Sequence, residues 1–291
     1  MLICKLCPVK CGAKRPENAG LCGAAALRAS RAAPHYFEEP PVSGKNGSGA
    51  IFFSGCPMSC VFCQNHEISA GCAGKDVTVK ELAEIMISLQ EQGCHNINLV
   101  SPTPYVPYIK KALDIAKPSV PVVYNTSGYE RVEVLRALEG YVNVYLPDFK
   151  YVTPEISGKY SGRPDYPAAA AKALAEMIRQ CGGCEYGKNG IMTRGVIVRH
   201  LVLPSLKDES IKVLEFLSEN YDKDKFLLSL MSQYVPVYRA AEYKEINRKL
   251  TSYEYRRVCE EAVKLGFKGF FQSSASQSSD YTPDFDLTGI D

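Results

Sequence analysis

The stretch Cys56-Pro57-Met58-Ser59-Cys60-Val61-Phe62-Cys63 carries three cysteines at C-x3-C-x2-C spacing, just after the apolar run Ala50-Ile51-Phe52-Phe53. Thiolates on so short a loop can converge on one soft metal centre. Their number narrows the chemistry. A structural zinc site is closed by four ligands, and a fully ligated iron–sulfur cubane also takes four thiolates. A 4Fe–4S cubane held by three leaves one iron open to a small molecule. Buried thiols, or part of a zinc site, are the alternatives.

A second cysteine group opens the chain. Cys4, Cys7, Cys11 and Cys22 follow C-x2-C-x3-C-x10-C spacing, with Pro8, Gly12, Gly20 and Gly23 among them. Four thiolates so close suit a metal-stapled ribbon too short for its own hydrophobic core. Zinc and a second 4Fe–4S cluster both fit that count. Ala24 to Gly49 reads as a short helix followed by a linker or hairpin.

Composition bounds the rest. The chain has 291 residues, 46% hydrophobic and 23% charged, enough for one α/β-barrel domain with a small appendage. A net charge of +2 without a basic block gives no sign of a nucleic-acid partner. No apolar run of about 18 residues is present, so no membrane span is expected. The start, Met1-Leu2-Ile3-Cys4, lacks the regions of a signal peptide. Twelve cysteines in such a chain read as metal ligands in a reducing compartment, which makes the cytoplasm the expected location.

After the cysteine loop the chain settles into a βα rhythm. Thr78 and Glu81 have capping-box spacing and open a helix with Leu82, Ala83, Met86 and Leu89 on one face. Strands are expected over Asn96 to Val100, Pro121 to Tyr124, Val142 to Leu146, Gly195 to Leu203 and Lys225 to Leu230, and Gly269-Phe270-Phe271 is a candidate for a last one. Tyr151 to Tyr166 reads as an irregular insert. Ser205, with Asp208 three on, caps a helix from Lys207, and Thr251 with Glu254 caps the last helix. Six strands each followed by a helix give a parallel sheet with right-handed crossovers. The expected architecture is α/β: a partial (β/α)6 TIM-like barrel over residues 49–272. A cysteine-rich metal-binding segment and linker (1–48) precede it, and a C-terminal tail (273–291) outside the packed core lies extended over the surface, with Tyr281, Pro283, Phe285, Leu287 and Ile290 able to dock its end.

In such a barrel the chemistry sits at the C-terminal ends of the strands. The cysteine loop follows the first strand, Ser101 and Thr103 the second, Asn125 and Ser127 the third, and Asp148 and Lys150 the fourth. Arg199 and His200 lie near the end of the fifth, and His200 is the histidine expected to face the site. Of the remaining cysteines, Cys72, Cys94 and Cys259 read as isolated residues, and Cys181 with Cys184 as a loop thiol pair without a cluster.

The C-x3-C-x2-C loop, with Phe62 before its third cysteine, resembles the cluster loop of radical S-adenosylmethionine (SAM) enzymes. Cys63-Gln64-Asn65, Asn125-Thr126-Ser127-Gly128-Tyr129, Leu146-Pro147-Asp148-Phe149-Lys150 and Val198-Arg199-His200 extend the likeness over nearly the whole chain. Within that superfamily the chain looks most like the activating enzymes of pyruvate formate-lyase and their relatives with an N-terminal cysteine ribbon. The resemblance implies a 4Fe–4S cluster on Cys56, Cys60 and Cys63 that binds SAM at its open iron. SAM is then cleaved reductively to a 5′-deoxyadenosyl radical that abstracts hydrogen from a substrate. It implies SAM contacts from Asn125, Ser127, Asp148, Lys150 and Arg199, and a second metal centre, zinc or 4Fe–4S, on the ribbon. Phe62 is expected against the adenine. Ser101 and Thr103 stand where the superfamily has a Gly-Gly-Glu turn that meets the SAM amino group. A glycyl-radical enzyme as protein substrate, and flavodoxin or ferredoxin as electron donor, are the implied partners. A radical enzyme acting on a peptide or small molecule, and a non-catalytic zinc or iron–sulfur protein, are the other readings.

Overall fold

The computed structural model describes residues 2–187, 189–272 and 282–290. Its centre is a run of strands in which chain order and sheet order coincide. Ser48–Phe53, Ile97–Val100, Val122–Thr126, Val144–Pro147, Met192–Leu201 and Leu227–Met231 each pair in parallel with the one before. Gly269–Phe271 adds a short seventh parallel strand. On the opposite side Arg28–His35 runs antiparallel to Ser48–Phe53, and Lys75–Asp76 antiparallel to it in turn. Among the described residues the two ends of the sheet do not pair, so the expected partial barrel is present and open on one side.

The strands read as apolar runs because both of their faces are covered. Every residue of Ser48–Phe53, Ile97–Val100 and Val144–Pro147 is buried. The strand period of two then sorts the side chains. Val123, Val144, Leu146 and Ile197 point inward and pack together as the barrel's own core, where Val42 joins them. Tyr124, Tyr145, Val196, Val198, Leu228 and Leu230 point outward under the helices. Val42 belongs to the short helix Pro40–Ser43, and its carbonyl accepts from Asn96 Nδ2 at 2.7 Å. The segment after Arg28–His35 thus folds into the barrel interior, whereas the sequence suggested a helix before it.

Helix starts follow local chemistry, with one exception. The capping boxes at Thr78/Glu81 and Thr251/Glu254 are both formed, opening Val79–Glu91 and Ser252–Lys264. Lys207–Asn220 has no side-chain cap. Ser205 is drawn instead toward the last helix: its N–H donates to Glu254 Oε1 at 2.7 Å and its hydroxyl to the Glu245 carbonyl at 2.9 Å. The expected irregular insert contains the helix Pro154–Ser161, started by proline at a position that needs no N–H and ended by Gly162 in the left-handed region at φ 65°.

The ribbon is a small hairpin, Leu2–Ile3 against Lys14–Arg15, tightened by Cys4 N–H to Ala13 O and Gly12 N–H to Cys4 O. Part of the expected tail, 273–281 and 291, lies outside the described residues. Its end is docked on the protein: Leu287 and Thr288 bond the strand Arg28–His35, and Ile290 is buried among core residues that include Ala32 and Leu89. Among the described residues, no helix is long and apolar enough to cross a membrane.

Candidate active site

The barrel mouth is built from strand ends and from the loop Cys56 to Cys63. On the fifth strand Ile197, Arg199 and Leu201 share the inward face, so Arg199 reaches the interior. Its neighbour His200 therefore points outward, correcting the expectation. It is buried between the Phe149 carbonyl (2.7 Å) and Ser210 Oγ (2.9 Å), and burial pushes its pKa down to about 4.

Arg199 is the hub of a charged network. Its Nε donates to Asp148 Oδ1 at 3.0 Å, its Nη2 to Asn125 Oδ1 at 2.6 Å, and its Nη1 to Glu38 Oε2 at 3.2 Å. Glu38 Oε1 also accepts from Asn125 Nδ2 at 2.9 Å and Asn98 Nδ2 at 3.0 Å. Lys150 Nζ sits 2.6 Å from Asp148 Oδ2. Burial alone would raise the Asp148 pKa, but Lys150 and Arg199 beside it hold the carboxyl below its usual value. Burial alone would strip Lys150 of its proton, yet Asp148 and the Cys60 thiol keep its pKa above the usual lysine value. Two cations and two carboxylates therefore face one another at the mouth, and their formal charges cancel.

The same cavity, about 210 Å³, is lined by Cys60, Cys63, Phe62, Asn125, Asp148, Lys150 and Arg199. Phe62 is buried and lies at 6.0 Å, tilted, from the Tyr234 ring. Cys60 Sγ is 3.0 Å from Ser161 Oγ and Cys63 Sγ is 3.2 Å from Ser69 Oγ. Burial, then the Cys60 thiol, push the Cys63 pKa up to about 11, and Cys56 is raised by the same two causes. Such thiols become thiolates only when a cation compensates them, as a metal centre does. The donor set thus suits an iron–sulfur group. Among the described residues no three His, Cys, Asp or Glu side chains are already drawn around a single-ion position. A cluster does not require this, since its thiolates sit on separate irons.

Three expected residues do not line this cavity. Ser101 adopts φ 57° and donates its N–H to Asn125 O at 3.0 Å. Thr103 is buried, its hydroxyl spent on Glu130 Oε1 at 2.5 Å. Ser127 offers its carbonyl to Tyr166 Oη at 3.0 Å. Conversely, Glu38, Ser69 and Ser161 were not singled out from the sequence. Glu38 lies in Tyr36-Phe37-Glu38-Glu39-Pro40, where paired acids between aromatics and prolines were the available signal. Its neighbour Glu39 is buried, and that burial raises its pKa.

The ribbon thiols also meet. Cys4, Cys7 and Cys22 are buried, and Cys4 lies within hydrogen-bond reach of Cys11. Cys72 is not isolated: its Sγ is 3.8 Å from the Cys22 carbonyl. Cys181 and Cys184 lie beside the fifth strand, their thiols toward the Gly195 and Val196 carbonyls at 3.3 and 3.9 Å.

Known proteins resemble this chain in sequence and in fold. An uncharacterized protein of Methanocaldococcus jannaschii is 33% identical over 273 residues, spanning 90% of this chain and 74% of that one. The crystal structure of Streptococcus suis SuiB bound to S-adenosylmethionine superposes with a TM-score of 0.49 at 17% identity, covering 75% of this chain and 48% of that one. The FeFe-hydrogenase maturase HydG from Carboxydothermus hydrogenoformans gives 0.46 at 13%, covering 79% and 58%. The chain thus spans about half the length of these solved structures. The family model described as the Radical SAM superfamily matches residues 50–217, from the first barrel strand into the helix after the fifth. The chain belongs to the radical SAM superfamily.

Proposed function

We propose that Cys56, Cys60 and Cys63 hold a 4Fe–4S cluster and that SAM binds across the barrel mouth, with a glycyl-radical enzyme as the protein that gives up hydrogen. The observation that carries this reading is the single cavity shared by two of the loop cysteines and the Asp148–Lys150–Arg199 network. When bound, the cluster would supply the electron for reductive cleavage of SAM to methionine and a 5′-deoxyadenosyl radical, which becomes 5′-deoxyadenosine by taking hydrogen from the substrate. The chain's own residues position the molecule. Lys150 and Arg199 supply the positive charge that faces the methionyl carboxylate. Asn125, bonded to Arg199, is placed for a ribose hydroxyl. Phe62 supplies an aromatic wall for adenine. Glu38 and Asp148 balance the two cations, so a ligand with a positive sulfonium enters a mouth without excess positive charge. Thr103 drops out as a direct contact, since its hydroxyl is bonded to Glu130, and Ser101 and Ser127 do not line the cavity. Cys4, Cys7, Cys11 and Cys22 carry a second, separate metal centre.

The test is anaerobic reconstitution with iron and sulfide, followed by reduction with SAM present. Broad iron–sulfur absorbance and 5′-deoxyadenosine are expected. A colourless zinc protein that forms none would end the enzyme reading. Mixing with a candidate glycyl-radical enzyme should then give the doublet signal of a glycyl radical. Cleavage without that signal would leave a peptide or small molecule as substrate.

A further inference from the structure

The two cysteine groups touch. The backbone N–H of Cys56 donates to the carbonyl of Cys22 at 3.2 Å, so the ribbon's last thiol residue and the barrel loop's first share one hydrogen bond. Gly20 marks how tightly the ribbon closes there. A Cβ at that position would lie 3.3 Å from the sulfurs of both Cys11 and Cys22 and 2.9 Å from Arg15 Nη2. Cys4 reaches Cys11 from the other side, and Cys7 is buried within electrostatic reach of Cys4 and Cys22.

Arg15 points to the charge state of this group. It is 2% exposed, with Nη1 on the Pro104 carbonyl at 2.6 Å and Nη2 on Cys22 Sγ at 3.1 Å, while its Nε has no partner. No carboxylate pairs with it among the described residues. A guanidinium keeps its charge, and a buried charge needs an anion beside it. Here only the thiols can supply one, and they do so when ionised by a metal. Hydrogen bonds to such sulfurs also tune the potential of an iron–sulfur centre.

We propose that Cys4, Cys7, Cys11 and Cys22 hold a one-electron iron–sulfur centre, with Arg15 as its buried countercharge, that relays electrons to the barrel-mouth centre across the Cys22–Cys56 contact. The relay rests on the proposed barrel-mouth cluster for the electron's destination. A low-potential one-electron carrier protein reduces the ribbon centre. That centre is reoxidised as the same electron passes to the barrel mouth, and no atom or proton is transferred.

The experiment uses full-length protein reconstituted anaerobically as wild type, as the triple variant Cys56→Ala/Cys60→Ala/Cys63→Ala, and as Arg15→Met. The triple variant is expected to keep about four irons per chain, as for a cubane on four cysteines, and to give a paramagnetic signal on reduction. Wild type should carry about twice that iron, and its fully reduced spectrum should be broadened by interaction between neighbouring spins. Arg15→Met should keep its iron while the ribbon centre titrates at a more negative potential, because a cation that favours the reduced form is gone. Zinc in place of iron in the triple variant would overturn the proposal, as would two wild-type signals that add without interaction. An unchanged potential in Arg15→Met would remove Arg15 from it. If the triple variant does not fold, Cys11→Ser offers the complementary view: it should keep the barrel-mouth signal and lose the broadening, and retained broadening sinks the relay. Wild type with both interacting centres but no 5′-deoxyadenosine would overturn the proposed function and leave the ribbon centre standing.

Discussion

Glu38 and Arg199 stand 161 positions apart in the chain, yet Arg199 Nη1 donates to Glu38 Oε2 at 3.2 Å inside the barrel. With Asp148 and Lys150 they make two opposed pairs, and Glu38 is the member contributed from ahead of the first barrel strand. Replacing it by glutamine leaves the mouth one positive charge in excess and weakens a charge-assisted bond to Arg199. Such bonds contribute about 1.5–3 kcal/mol, and about 1.4 kcal/mol is tenfold in affinity. Glu38→Gln should therefore weaken SAM binding roughly tenfold or more, with iron content unchanged. S-adenosylhomocysteine, which lacks the sulfonium charge, should lose less. Equal losses for the two ligands in equilibrium dialysis would contradict the charge-balance account.

Lys150→Met keeps most of the side chain's bulk and removes its ammonium. Asp148 then keeps Arg199 as its only cationic partner in the network. The expected result is SAM affinity lowered by roughly ten- to a hundredfold with the cluster's absorbance intact. Wild-type affinity in this variant would place the carboxylate of SAM elsewhere.

How much of this could be read beforehand depended on how local the determinant was. The cysteine loop was legible because three ligands within eight residues need no tertiary information. The strands were legible from their apolar runs, and the C-terminal ends of those runs placed Asn125, Asp148 and Arg199 on one side of the barrel. Adjacency in sequence is no guide on a strand: His200 adjoins Arg199 and for that reason faces the opposite side of the sheet. Thr103 was a polar residue after a strand, a position more often used for turns than for ligands, and its hydroxyl indeed stays in the scaffold. Glu38 carried only a local compositional signal, paired acids between aromatics and prolines, which does not say where the side chain goes. Its place depends on the segment before Pro40–Ser43 folding into the barrel, which no local pattern encodes.

Ser161, from the helix in the expected irregular insert, sets the environment of one thiol. Its Oγ lies 3.0 Å from Cys60 Sγ and 3.1 Å from Tyr151 Oη. A hydroxyl that donates to a cluster sulfur stabilises the reduced state. Ser161→Ala should shift the barrel-mouth cluster to a more negative midpoint in a potentiometric titration. Leaving the buried Tyr151 hydroxyl with one partner fewer should also cost about 1–3 kcal/mol of stability. A midpoint identical to wild type would mean that Ser161 does not bond the ligand sulfur once the cluster is in place.

Glu130 links the scaffold to pH. Its Oε1 accepts from Thr103 at 2.5 Å, Thr126 at 2.6 Å and Tyr124 at 3.4 Å, while Oε2 is buried without a partner. Burial pushes its pKa up to about 7 from 4.5, against the opposing pull of those three hydroxyls. The folded protein therefore keeps a proton between pH 4.5 and about 7 that the unfolded chain has released. Unfolding releases protons in that window, so stability is highest at its acid end and falls as pH rises, levelling off above pH 7. At about 1.36 kcal/mol per pH unit, the span amounts to about 3 kcal/mol. Glu130→Gln keeps the shape of the neutral acid and has nothing to ionise. Near pH 4.5 the two proteins should unfold at similar urea concentrations. By pH 8 the variant should be the more stable, by up to about 3 kcal/mol less any packing cost. Parallel stability curves across that range would show that Glu130 is already ionised in the folded protein.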